Sequence, residues 1–98
     1  MWVKLHKGSR TVVAVCDSNV LGKKFHQGIR VLDVRESFFK GKEYDGAELL
    51  SILKAEFYSG STFNIVGKKS VNAAIESGIV DKEDVLEIEG IPFIIVVN

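Results

Sequence analysis

Residues 63–88 read FNIVGKKSVNAAIESGIVDKEDVLEI, and this stretch decides the fold class. A short apolar run, Phe63 to Val66, ends at Gly67, and Val71, Ala74 and Ile75 then recur at helical spacing through Lys68 to Ser77. Gly78 supplies the C-terminal stop, with Ile79 placed beyond it to pack back on the helix. After the polar turn Asp81-Lys82-Glu83-Asp84, Leu86 and Ile88 point inward between outward-pointing Glu87 and Glu89, as in a half-buried strand. The segment is therefore strand, helix, strand, and if its strands are parallel the crossover is right-handed.

Downstream, Gly90-Ile91-Pro92 reads as a bend, because proline forces its predecessor to be extended and lacks an N–H. The last strand, Phe93 to Val97, is apolar on both faces, which suits the middle of a sheet or a junction between two chains. Upstream, Asp45 with Glu48 forms a capping-box pattern, Leu49, Leu50, Leu53 and Phe57 share a helical face, and Gly60 ends that helix. WVKLHKGSRTVVAVC, residues 2–16, predicts a hairpin turning at Gly8-Ser9. That turn would set His6 opposite Thr11, Lys4 opposite Val13 and Trp2 opposite Val15. Val3, Leu5, Val12, Ala14 and Cys16 would then form the core face, with His6 pointing away.

Residues 17–25 read as a connection in which Asp17 or Ser18 caps a turn that Gly22 ends. IRVLDV, residues 29–34, is a third strand, apolar on both faces, and RESFFKGKEY, residues 35–44, is a loop. The fold class is α+β: a mixed sheet built from an N-terminal antiparallel hairpin and meander plus a C-terminal βαβ unit, with two main helices packed on it. Residues 1–98 form one domain.

A hydrophobic fraction of 46% fits a compact globule. The longest apolar run, Phe93 to Val97, is far below membrane-spanning length, and MWVKLHKG lacks a signal-peptide core. A lone Cys16 fits a reducing compartment, so a cytoplasmic protein with no membrane partner is expected. The formal net charge is zero, yet residues 1–42 carry nine Lys or Arg against Asp17, Asp33 and Glu36, a surplus of +6 that residues 43–98 balance. Such asymmetry points either to an anionic partner for the first half or to attraction between the halves in the fold.

GSRTVVAVCDSNVLGKKF, RVLDV followed by an aromatic pair before Gly41, and above all NIVGKKSVNAAIESGIVDKEDVLEIEGIPF resemble a family of small archaeal proteins catalogued as a domain of unknown function. The similarity spans essentially the whole chain, most distinctively Asn64 to Pro92. It implies an archaeal cytoplasmic protein and brings no catalytic residues. Where family members often carry histidine after the proline, this chain has Phe93, which removes the basis for a metal or proton-transfer role there.

A strand that stops at glycine and turns into a helix aims free backbone N–H groups at its crook, so Gly67, Lys68, Lys69 and Ser70 are a candidate anion cradle. The alternative is a plain helix start with solvated lysines. The cradle is not a P-loop, because Thr62 stands where the first glycine belongs and Lys69 where Ser or Thr must follow the lysine. A second basic region, Lys23, Lys24, Arg30, Arg35, Lys40 and Lys42, interleaves with Phe38, Phe39 and Tyr44, the combination that binds single-stranded RNA through charge and stacking. Either phenylalanine could instead plug the core.

His6, Cys16 and His26 are the only His or Cys residues, and the expected hairpin register sets His6 and Cys16 on opposite faces and at opposite ends, so no metal site is expected. The expected role is a non-enzymatic binding module for RNA or a translation-type RNA–protein assembly. The alternative is a protein-interaction module or small homodimer using the doubly apolar strands. An enzyme or binder of a small phosphorylated compound at Gly67 to Ser70 ranks last, since no general base or nucleophile stands beside it, and no cofactor is expected.

Overall fold

The computed structural model describes residues 1–98. Its elements are β1 (Trp2–His6), β2 (Val12–Cys16), β3 (Lys24–Gln27), β4 (Arg30–Asp33), α1 (Glu36–Phe39), β5 (Lys42–Glu43), α2 (Gly46–Tyr58), β6 (Thr62–Val66), α3 (Lys68–Ser77), β7 (Leu86–Ile88) and β8 (Ile91–Val96). A six-stranded mixed sheet runs β5-β1-β2-β6-β8-β7, and β3 with β4 forms a separate hairpin. The α+β class and mixed sheet expected from the sequence are therefore present.

The strands of the C-terminal strand–helix–strand segment, β6 and β7, are parallel, but β8 lies between them and pairs antiparallel with both. The parallel ladder of adjacent strands joins β2 to β6. Pro92 belongs to β8 rather than to a bend. The turn falls one step earlier, at Glu89 (φ 52°) and Gly90 (φ 76°), where two consecutive positive φ values make the tight two-residue hairpin turn.

The hairpin β1–β2 differs in register from the expectation. Trp2 pairs with Cys16 and His6 with Val12, so the loop holds Lys7 to Thr11 instead of turning tightly at Gly8-Ser9. One residue of slip exchanges the faces of a whole strand. Val3, Val13 and Val15 therefore face one side, while Trp2, Ala14 and Cys16 face the other. His6 and Cys16 share a face after all, though they stay at opposite ends of their strands.

Both faces of the sheet are covered, which is why alternation alone misled. On one side α2 and α3 pack Leu49, Leu53, Val71 and Ala74 against Val13, Val15, Phe63 and Ile65. On the other, the β3–β4 hairpin and α1 pack Val34 and Phe39 over Ala14, Cys16, Val66 and Phe93. The stretch read as connection and loop is thus a second covering layer. The Asp45–Glu48 capping box forms as expected, Glu48 N donating to Asp45 at 2.8 Å and Asp45 N to Glu48 at 3.0 Å. No helix is long and apolar enough to cross a membrane.

Candidate functional site

The crook at Gly67 is filled by the protein itself. Asp17, the residue after β2, crosses to the start of α3, and its carboxylate accepts hydrogen bonds from Lys69 N at 3.0 Å, Ser70 N at 2.8 Å and Ser70 Oγ at 2.7 Å. The side chain thus caps α3 instead of the turn that follows it, which has no side-chain cap. Asp17 is 6% exposed and Ser70 fully buried, so the charge is held by donors and by the positive end of the helix. Gly67 makes room for this: a methyl group there would collide with the Asp17 carboxyl, and its φ of 108° excludes other residues on backbone grounds as well.

The geometry of the cradle expected at Gly67 to Ser70 is therefore present, with an internal carboxylate in the place of an external anion. The side chains of Lys68 and Lys69 remain exposed beside it. Beyond the carboxyl ends of β2 and β6, where the first turns of α2 and α3 meet, lies an open cleft of about 1100 Å³ lined by Ser18, Asn19, Leu50, Lys68, Lys69 and Asn72 among others.

Cys16 sits next to this latch and is fully buried. Burial, reinforced by the negative charge of Asp17, pushes its thiol up to about 12. A thiol so protonated is a small core residue and not a nucleophile. No three His, Cys, Asp or Glu side chains converge in a metal-ligating group.

The second basic region is divided by the fold. Lys23 and Lys24 are exposed at the start of β3. Arg30 opens β4 with its guanidinium 5.7 Å from the centre of the Phe93 ring. Arg35 pairs with Asp33 at 3.1 Å just before α1, and Lys40, just after α1, pairs with Glu36 at 3.7 Å. Lys42 stands apart: it is opposite Val3 on the face that α2 and α3 cover, with its ammonium 5.6 Å from the Tyr44 ring.

Around α1 the structure adds residues that charge counting passed over. Trp2, Lys4 and His6 alternate along β1 and so share the face on which α1 lies. Lys4 Nζ donates to the Ser37 carbonyl at 2.8 Å, and His6 Nε2 donates to the Phe38 carbonyl at 2.8 Å. The His6 ring stacks on Phe38 with centroids 4.5 Å apart, and Phe38 meets Phe39 edge-on at 5.1 Å. Lys40 Nζ lies 5.6 Å from the centre of the Trp2 ring. Lys4 and Lys40 thus stand beside the rings of Trp2, His6 and Phe38, all partly exposed, Arg35 lines a groove with Phe38, and Phe39 is the plug beneath them. The alternation in WVKLH was the signal that could have found this cluster.

The model of the DUF424 family, described as proteins of unknown function, matches residues 6–98. The chain belongs to the DUF424 family. The family resemblance in Asn64 to Pro92 is thereby established. Among solved structures, this DUF424 chain is similar to one described as an uncharacterized conserved protein from Methanopyrus kandleri, with a TM-score of 0.82 and 21% identity over 99% of this chain and 92% of that one. At that identity the likeness concerns the fold. No curated protein matches the chain.

Proposed function

We propose that this DUF424 protein is a non-enzymatic, single-domain binding module of the cytoplasm that takes single-stranded RNA on the face formed by β1 and α1. The observation that carries the reading is the placement of Lys4 and Lys40 beside the rings of Trp2, His6 and Phe38, with Arg35 in a groove that Phe38 also lines. Such a face offers phosphates a cationic border and bases a stacking platform, without demanding a particular sequence. The ion pairs of Arg35 and Lys40 are solvent-exposed and contribute little to stability, so exchanging a carboxylate for a phosphate costs little.

Segregation of charge supports the same surface. Residues 18–41, which supply the covering layer on this side, carry five basic residues against Asp33 and Glu36, a net +3 in a chain that is neutral overall. Lys23 and Lys24 belong to this layer, which also offers a surface to an RNA–protein assembly. Direct capture of an anion at Gly67 to Ser70 is disfavoured, because the ligand would have to expel the Asp17 carboxylate.

The test is titration of the protein with short single-stranded RNA in low salt, followed by the fluorescence of Trp2, the only tryptophan. Stacking at this face quenches or shifts that emission, and binding weakens as salt rises because counterions are released. Absence of RNA binding in low salt removes the reading. Binding that leaves Trp2 emission untouched moves it to another face.

A further inference from the structure

The strand β8 has β6 along one side from Phe93 to Val96 but β7 along the other only from Ile91 to Phe93. From Ile94 onward no strand continues on the β7 side. The direction of each backbone group there follows from the ladder. In an antiparallel pair, residues alternate between exchanging both hydrogen bonds with their partner and pointing them away. Gly67 N donates to the Pro92 carbonyl across the β6 side, so even-numbered residues of β8 bond toward β6 and odd-numbered ones toward β7. Ile95 therefore directs its N–H and C=O to the open side.

The side chains on this edge are equally unprotected. Ile95 is 60% exposed and Val97 79%, and Leu86 and Val31 beside them are 48% and 54% exposed. Val31 and Ile95 line one groove of about 270 Å³ with Phe93 at its floor. Folded proteins shield such edges with lysine, proline, a bulge or a covering element, and Ile94 to Val97 carry no charge and no proline.

We propose that this edge is an interface with a second copy of the chain, paired antiparallel about a two-fold axis at Val96. Ile95 then stands opposite Val97 of the second copy, and Val97 opposite its Ile95. Both residues are odd-numbered, so each Ile95–Val97 pair exchanges N–H and C=O groups that a single chain leaves to water. This register also avoids β7: the second copy's strand takes up the line where β7 ends. A register centred on Ile95 would drive Val97 into the place that Leu86 occupies beside Phe93. The choice of a second copy rests on this self-complementarity. A two-fold contact sets each patch against itself, and the neutral Ile94–Val97 stretch can do so without like charges meeting, unlike the charged surface elsewhere. The axis is perpendicular to the sheet, so the two sheets join into one and the exposed Ile95, Leu86 and Val31 of both copies lie on the same side.

Sedimentation equilibrium over a wide concentration range tests this, with wild type compared with Ile95→Lys and with Val97→Lys, the latter lying beyond the last residue of β8. The wild type is expected to be a dimer that both variants dissociate while keeping wild-type circular dichroism. Independently of any variant, hydrogen exchange at the Ile95 and Val97 amides should slow as protein concentration rises. A wild type that is monomeric at the highest concentration, with those two amides exchanging fast throughout, overturns the proposal and leaves the edge to a foreign strand. A dimer that survives both lysine substitutions overturns it as well.

Discussion

Replacing Asp17 by alanine should unlatch the start of α3 at a cost that the geometry sets. The carboxylate accepts three hydrogen bonds, two from backbone N–H groups and one from a hydroxyl. Bonds to a charged acceptor contribute about 1.5–3 kcal/mol each. The Ser70 hydroxyl can rotate toward another acceptor and Lys69 N is only partly buried, so these two count for less than Ser70 N, which is left without a partner in the interior. The expected loss is about 3 kcal/mol, comparable to deleting a strong helix cap together with one buried bond. For a domain of this size that is a fall in melting temperature of roughly 12–24 °C. Urea unfolding monitored by circular dichroism reads it as a lower midpoint at unchanged slope. Asp17→Asn, which keeps one carbonyl acceptor but turns an amide N–H toward a backbone donor, should fall between the two. Gly67→Ala should be nearly as damaging through its collision with Asp17, and the two substitutions together should cost less than their sum, because the contacts with the carboxyl disappear and only the one with the Cβ of residue 17 stays. A loss below about 0.5 kcal/mol for Asp17→Ala, the range of an ordinary surface change, would refute the latch.

Other outcomes follow from the same structure. Asp45→Ala, which removes half of the capping box on α2, should destabilise by about 1 kcal/mol in the same urea assay. Leu53→Ala, at a fully buried position beneath α2, should cost about 2–5 kcal/mol and set the scale for the others. The Cys16 thiol is raised from 9.0 to about 12 by folding, so above pH 9 the unfolded chain gives up a proton that the folded chain keeps. Its contribution is complete below pH 9 and is lost as pH rises toward 12; comparing wild type with Cys16→Ala over that window isolates it, and equal pH slopes would contradict it.

How much of this was legible in the sequence depended on how local the determining interactions are. The capping box of α2, the span of α3 from Lys68 to Ser77 and the stop at Gly78 rest on neighbours within a few residues, and each formed where the pattern set it. The register of β1–β2 did not, because Gly8-Ser9 is a good tight turn in isolation while the burial of both sheet faces selects a longer loop. The strand β3 and the helix α1 were read as connection and loop for a related reason, whereas β4 falls within the strand read at residues 29–34. Phe25 of β3 and Phe39 of α1, with Leu32 of β4, serve a second core whose members on the large sheet, Ala14, Cys16, Val66 and Phe93, lie outside residues 17–44.

The candidate site divides along the same line. Gly67, Lys68, Lys69 and Ser70 were identifiable as a cradle from their own sequence, but its occupant lies more than fifty positions upstream and is brought there only by the parallel pairing of β2 with β6. Likewise Arg35 and Lys40 were visible as charges, whereas Trp2, Lys4 and His6 join them only because α1 folds back over β1.

The central claim, that the β1–α1 face binds single-stranded RNA, is tested most directly by the salt dependence of RNA affinity in wild type and in Arg35→Ala/Lys40→Ala. Three phosphate contacts on a single strand give a slope of log K against log salt of about −2, and one remaining contact gives about −0.7. The account predicts that change of slope, together with weaker binding, in a double variant of unchanged stability, while Lys68→Glu/Lys69→Glu keeps both affinity and slope. Equal slopes and affinities for wild type and Arg35→Ala/Lys40→Ala, or loss of binding in Lys68→Glu/Lys69→Glu alone, would contradict it.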